Sequence, residues 1–210
     1  MKKEIASILC ATALTCSAGA ASIPDFSDVR PSDWYHDAVN YVCENGLMNG
    51  TSDTAFSPNA TTSRGMIVTI LYRLAGSPDM PESNWGYPYA DVDTNAYYSA
   101  PVYWARMNDL VTGYSDTQFG PNDAITREQL TAILYRYAQN EGYKTSQSGK
   151  GTEGYLDASS ISSYAVKAMD WAVNAGLLSG KGNNTLAPTA GATRAEVAQI
   201  FMNFCEDIAK

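Results

Sequence analysis

Three arginines, Arg64, Arg127 and Arg194, each follow a Ser or Thr and precede apolar residues spaced as one face of a helix. At the first helical position a cation opposes the positive end of the helix dipole, by a few tenths up to about 1 kcal/mol. An unfavourable placement made three times in one chain wants a compensating anion. A carboxylate from the same or a neighbouring unit would supply it internally. An anionic ligand would supply it from outside, because exposed helix N–H groups and a guanidinium together make a pocket with bidentate geometry for an acid. No Ser-His-Asp or Cys-His constellation accompanies them: His36 is the single histidine and has no counterpart in the other units. The acidic residues recur as caps and unit openers, which argues against paired carboxylates for glycoside hydrolysis. The expectation is therefore a chain that is not an enzyme.

The helices that must position these arginines are legible. In the stretch Asp123 to Tyr137, Thr126 is a good N-cap, Gln129 closes a capping box, and Ile125 and Leu130 form a hydrophobic staple. Leu130, Ile133, Leu134 and Tyr137 then make one apolar stripe. Adding 67 to each number gives Thr193, Arg194 and Glu196 with the stripe Val197, Ile200, Phe201 and Phe204. Subtracting 63 gives Ser63 and Arg64 with Ile67, Ile70, Leu71 and Leu74, but Met66 stands where the box needs Glu or Gln, so this cap should be the weakest.

A second block in the same register precedes each stripe helix. Trp34, Tyr97 and Tyr164 correspond, as do Gly50, Gly113 and Gly180, then Pro58, Pro121 and Pro188. Such a period indicates an array of like units. Each unit opens with an aromatic followed closely by Asp (Phe26 and Asp28, Tyr89 and Asp91, Tyr155 and Asp157), and continues into a short helix that starts near Ser99 in the second copy, where Pro101 fits only a first turn. Gly46 and Gly176 suit left-handed C-caps, after which Leu47, Leu110 and Leu177 fold back. A turn-rich loop with one apolar pin (Phe56, Phe119 or Leu186) leads to the stripe helix. Three short units of this kind should pack their stripes together, giving an all-α fold.

The 210 residues, 45% of them hydrophobic, suffice for a real core. A formal charge of −8 and a pI near 4.5, with only 14 Lys and Arg, make nucleic acid an unsuitable partner. Residues 1–20 read as a secretory signal peptide, from Lys2 and Lys3 through an apolar run to Ala18-Gly19-Ala20, with cleavage after Ala20. Lipoprotein processing at Cys16 fits the preceding residues poorly. Cys43 and Cys205 are then the remaining cysteines; they are either separate thiols or a pair, if the fold brings the third copy's end to the first. Asp91-Val92-Asp93-Thr94-Asn95 begins like a calcium loop but continues with Ala96 and Val102 where Gly and Glu are needed, so no metal is expected, nor any cofactor. No later run is long enough to span a bilayer. The units are bounded as 26–76, 89–138 and 155–206, with linkers at 77–88 and 139–154; Trp85 and Tyr87 in the first linker are expected to be pinned to a repeat.

Together the opening aromatic-x-Asp, the aromatic near the short helix, the Gly-bounded loop and the signature Ser63-Arg64-Gly65-Met66, Thr126-Arg127-Glu128-Gln129 and Thr193-Arg194-Ala195-Glu196 resemble the S-layer homology family. The resemblance runs from Phe26 to about Cys205. It implies a pseudo-threefold domain with a central bundle of stripe helices, and noncovalent attachment of a secreted protein to the bacterial cell wall. The implied partner is an acidic, often pyruvylated, secondary cell-wall polymer held in grooves between repeats. By position, Arg64, Arg127 and Arg194 would contact the acidic group, and Asp28, Asp91 and Asp157 would orient an Arg or accept from sugar hydroxyls. Trp34, Tyr97 and Tyr164 would line grooves or pack in the core, and Gly50, Gly113 and Gly180 would let the backbone approach the sugar. Departures at Gly65 and Met66 weaken the first site, and the Arg127 site ranks first. A helical protein-interaction scaffold at the cell surface, with the arginines paired internally, is the alternative.

Overall fold

The computed structural model describes residues 25–80, 89–146 and 148–209. The signal peptide and the two linker aromatics, Trp85 and Tyr87, lie outside them. Six α-helices alternate short and long: α1 (His36–Glu44), α2 (Arg64–Leu74), α3 (Ser99–Met107), α4 (Arg127–Asn140), α5 (Val166–Asn174) and α6 (Arg194–Asp207). Among the described residues no strand forms, only isolated bridges.

The helix starts follow the local chemistry. Thr126 and Thr193 accept from the N–H of Gln129 and Glu196 in complete capping boxes, whereas Ser63 accepts from Met66 N–H without the return bond. The first cap is the weakest, as Met66 requires. The short helices end where Leu47, Leu110 and Leu177 N–H donate back to Val42, Ala105 and Ala172 at 2.8 to 2.9 Å. Gly46 (φ +65°) and Gly176 (φ +73°) make the left-handed turn in two units, and Asp109 (φ +56°) makes it without glycine in the other.

The three units close on one another in a ring. Next to each cap, Ile125 N–H donates to Thr62 O at 2.9 Å, Thr62 N–H to Ala192 O at 3.0 Å and Ala192 N–H to Ile125 O at 3.0 Å, so each unit gives one bond and takes one. The helix termini repeat the scheme with longer reach. Arg64 and Gly65 N–H donate to Asp123 and Pro121 O, Arg127 and Glu128 N–H to Ala190 and Pro188 O, and Arg194 and Ala195 N–H to Ala60 and Pro58 O. N–H groups that helix geometry leaves orphaned are thus satisfied by the loop of another unit.

Packing obeys the same cycle. Helix α2 lies on α3, α4 on α5, and α6 on α1, so each stripe is covered chiefly by a short helix from another unit. Tyr72 meets Trp104 edge-on at 5.6 Å, and Tyr135 meets Trp171 likewise at 5.4 Å. The stripes themselves converge through long side chains, as where Tyr137 and Phe204 approach to 6.0 Å. The pins Phe56, Phe119 and Leu186 are fully buried.

The 139–154 segment does not behave as a free connector throughout. Asp170 of α5 accepts from Thr152 N–H and Oγ1, and Asn174 Oδ1 accepts from Gly151 N–H at 2.8 Å. Its first two residues belong to α4.

Candidate functional site: the inter-unit clefts

Each signature arginine lies at a junction between units, and all three are buried, 3 to 6% exposed. Arg64 donates from Nε to Phe119 O (2.9 Å) and from Nη2 to Thr112 O (3.2 Å). Arg127 donates to Leu186 O (2.8 Å) and Ser179 O (2.6 Å), and Arg194 to Phe56 O (2.7 Å) and Asn49 O (2.6 Å). The compensation is therefore neither of the two candidates alone: two loop carbonyls of another unit take up the Nε and Nη2 edge of every guanidinium. The N–H groups of the first two helical residues are taken as well, so the open anion pocket expected at the helix mouth does not exist in that form.

The third guanidinium nitrogen differs from site to site. Arg127 Nη1 donates to Glu196 Oε1 at 3.3 Å, and that oxygen also takes Lys181 Nζ at 2.5 Å. Arg64 is sandwiched by aromatic faces, 4.7 Å from the centroids of both Tyr114 and Phe119, and Arg194 sits 4.4 Å over Phe56. Leu186 replaces that ring in the unit facing Arg127, which is where the carboxylate appears. Burial lowers the pKa of all three arginines, opposed at Arg127 by Glu196 and Asp157.

A cleft of about 250 Å³ opens beside Arg64, lined among others by Gly113, Tyr114, Gln129, Arg136 and Tyr164. Arginines from the first and second units and an aromatic from the third meet there. Sequence reasoning missed Arg136, although Arg73, Arg136 and Asn203 stand in the same register and the repetition of Arg was a usable signal. The core reading of the aromatics is overturned: Trp34, Tyr97 and Tyr164 are 63, 60 and 52% exposed. Tyr164 donates to Glu128 Oε1 at 3.2 Å, and its pKa rises to about 12 through burial, the Glu128 charge and that bond. Glu128 also takes Ser162 N–H and Oγ, a cross-unit tie that the signature gave no reason to expect. Burial raises the pKa of Tyr97, opposed by Ser63, Arg73 and Arg194.

The opener aspartates act on the backbone of their own unit's loop. Asp28 accepts from Phe56 and Ser57 N–H, Asp91 from Phe119 and Gly120, and Asp157 from Leu186 and Ala187, all at 2.7 to 2.9 Å. Each clamps the loop whose carbonyl holds an arginine, so they position the guanidinium through the loop. At Gly50 a Cβ would come within 2.5 Å of the Phe26 ring, and at Gly113, which also lines the Arg64 cleft, within 2.5 Å of the Tyr89 ring. Their small size serves the opener aromatic. Asp93 Oδ1 accepts from Asn95 N–H at 2.9 Å, a local turn in place of a calcium loop. No disulfide joins Cys43 and Cys205, although α1 and α6 are packed together.

Two carboxylates make the ring acid-sensitive. At Asp157 burial raises the pKa, but the Leu186 and Ala187 N–H groups and Arg127 lower it by more; at Glu196 burial is likewise outweighed by Lys181, Thr193 N–H and Arg127. Both folded values lie below the ordinary 3.8 and 4.5, so their stabilisation is complete above that range and is lost as pH falls through it. Thermal midpoints should be level from pH 7 to about 5 and decline below about pH 4.5. Glu196→Gln should make that decline shallower; an equal slope in both proteins would refute the assignment.

A repeat protein whose units close into a ring, each reaching an arginine into another's loop, is the class that these contacts define. Residues 25–65, 88–131 and 154–198 match the S-layer homology domain, and the chain belongs to that family. It is 31% identical over 86% of its length to an amylopullulanase of Thermoanaerobacterium thermosulfurigenes. Identity is 28% over 95% of the chain with the surface-layer 125 kDa protein of Lysinibacillus sphaericus, and 28% over 57% with a cellulosome-anchoring protein of Acetivibrio thermocellus. The aligned stretches cover 9, 16 and 27% of those relatives. The chain thus spans a small part of each. No helix among the described residues is long and apolar enough to cross a membrane.

Proposed function

We propose that this chain holds a polypeptide noncovalently at the bacterial surface by binding an acidic, pyruvylated wall polysaccharide in the clefts between its units, with the Arg64 cleft as the principal site. The observation that carries this is the cleft lining. It combines two guanidinium groups with a half-exposed Tyr164 ring and includes no carboxylate, on a protein whose net charge is −8. A local cationic concavity on an acidic molecule selects an anion that the rest of the surface repels. Arg136 keeps one nitrogen on Leu110 O at 3.3 Å, which orients the remaining donors. The aromatic face suits the apolar face of a sugar ring. This order of sites reverses the one read from the signature, because Glu196 already occupies the third nitrogen of Arg127. The names of the surface-layer and cellulosome-anchoring relatives support a wall-side role.

Sedimentation with purified cell walls tests the proposal. The full chain should pellet with walls and stay in solution once the polymer has been extracted or its ketal groups removed. Tyr164→Ala, at a side chain exposed enough to leave folding intact, should weaken wall affinity about tenfold or more. Wall binding indifferent both to polymer extraction and to that substitution would overturn the proposal in favour of a protein-binding scaffold.

A further inference from the structure

The third residue of each long helix is different in every unit, Met66, Gln129 or Glu196, and in the second and third units it faces the arginine of another unit. Gln129 lines the cleft with Arg64, and Glu196 is bonded to Arg127. Arg64 is 5% exposed, and its Nη1 has no hydrogen-bond partner among the described residues. The corresponding Nη1 of Arg127 is filled by Glu196, whose side chain is 12% exposed and which also holds Lys181.

We infer that Glu196 is a built-in substitute for the ligand's acidic group, so that the residue at this helix position decides which junctions between units accept an anionic saccharide and keeps one from the Arg127 junction. The inference rests on the proposed glycan reading and assigns that reading a specificity determinant. A carboxylate between Arg127 and Lys181 cancels one of the two positive charges that an incoming acid would meet and occupies the donors that would hold it. Gln129 has nearly the same shape and also completes a capping box, but it carries no charge. The Arg64 cleft therefore keeps both cations, Arg64 and Arg136, available.

Exchange of the two residues gives a reciprocal test in which both caps survive. The probe is a methyl hexoside bearing a 4,6-linked pyruvate ketal, titrated calorimetrically into the full chain, with thermal unfolding as the control on folding. Glu196→Gln should bind one more equivalent than the parent. Gln129→Glu should lose at least tenfold in affinity at the existing site while its unfolding midpoint stays close to the parent's. Unchanged stoichiometry in the first variant together with unchanged affinity in the second, while the parent still binds the probe, would overturn the assignment of this position and leave the wall-binding proposal standing. A parent that binds neither the probe nor walls would overturn both.

Discussion

A fragment that stops after the second unit, residues 25–146, is expected to show no cooperative unfolding transition. In a linear repeat array each unit touches only its neighbours, so a shortened array stays folded. The ring here allows no such shortening. Removing the third unit strips α1 of its partner α6 and leaves the helix start at Arg127 without the carbonyls of Ala190 and Pro188. It also leaves the Arg127 guanidinium without Leu186 and Ser179 O. Phe201 and Phe204, both fully buried, disappear from the core. Loss of two large buried side chains already costs about 3 to 5 kcal/mol each, against a total stability of about 5 to 15 kcal/mol for a typical domain. Circular dichroism during heating should show a broad, sloping change. A sharp transition within about 10 °C of the full chain's would show that the units fold independently.

Arg127→Ala is the single substitution expected to cost most. It deletes three hydrogen bonds at a side chain 3% exposed and leaves two loop carbonyls and the Glu196 carboxylate facing a void. Breaking a buried charged pair by removing one partner costs about 3 to 5 kcal/mol. For a protein of this size that corresponds to roughly a 10 °C fall in the unfolding midpoint. Urea unfolding of the variant would measure it, and a loss under about 1 kcal/mol would show that the junction tolerates the hole. The consequence for functional work is direct. Reduced wall binding by Arg127→Ala would report a loosened ring as readily as a lost ligand contact, whereas Tyr164 and Gln129 line the cleft and bond none of the loop carbonyls that hold the guanidinium groups.

The helical elements were almost wholly legible because their signals are local. Thr126 with Gln129, Pro101 at the start of α3 and the stripe from Leu130 to Tyr137 each declare themselves within a few residues. What lies between units was not legible, since it depends on which loop meets which helix. Nothing near Arg64 in the chain names Phe119 or Thr112 as its acceptors, and Arg194 finds Asn49 across 145 positions. For the same reason the resemblance left Asp28, Asp91 and Asp157 between orienting an Arg and accepting from a sugar, and only the folded chain places them on backbone N–H groups of the loops. Exposure of Trp34, Tyr97 and Tyr164 also escaped, because an aromatic before a short helix reads equally well as core or as rim. The order of the sites proposed here differs from the one read along the chain for a related reason. A Glu that completes a cap looks favourable along the sequence, and its effect on the arginine of another unit is visible only in three dimensions.

The seam between α6 and α1 has a mechanical meaning. At the other two junctions the packed helices, α2 with α3 and α4 with α5, belong to segments joined through the chain, so a tug that separates them is caught by a tether. Where α6 lies on α1 the first and last helices of the ring meet, and the chain that joins them runs through all three units. Tension drawn between α1 and α6 should therefore open this joint before either of the others.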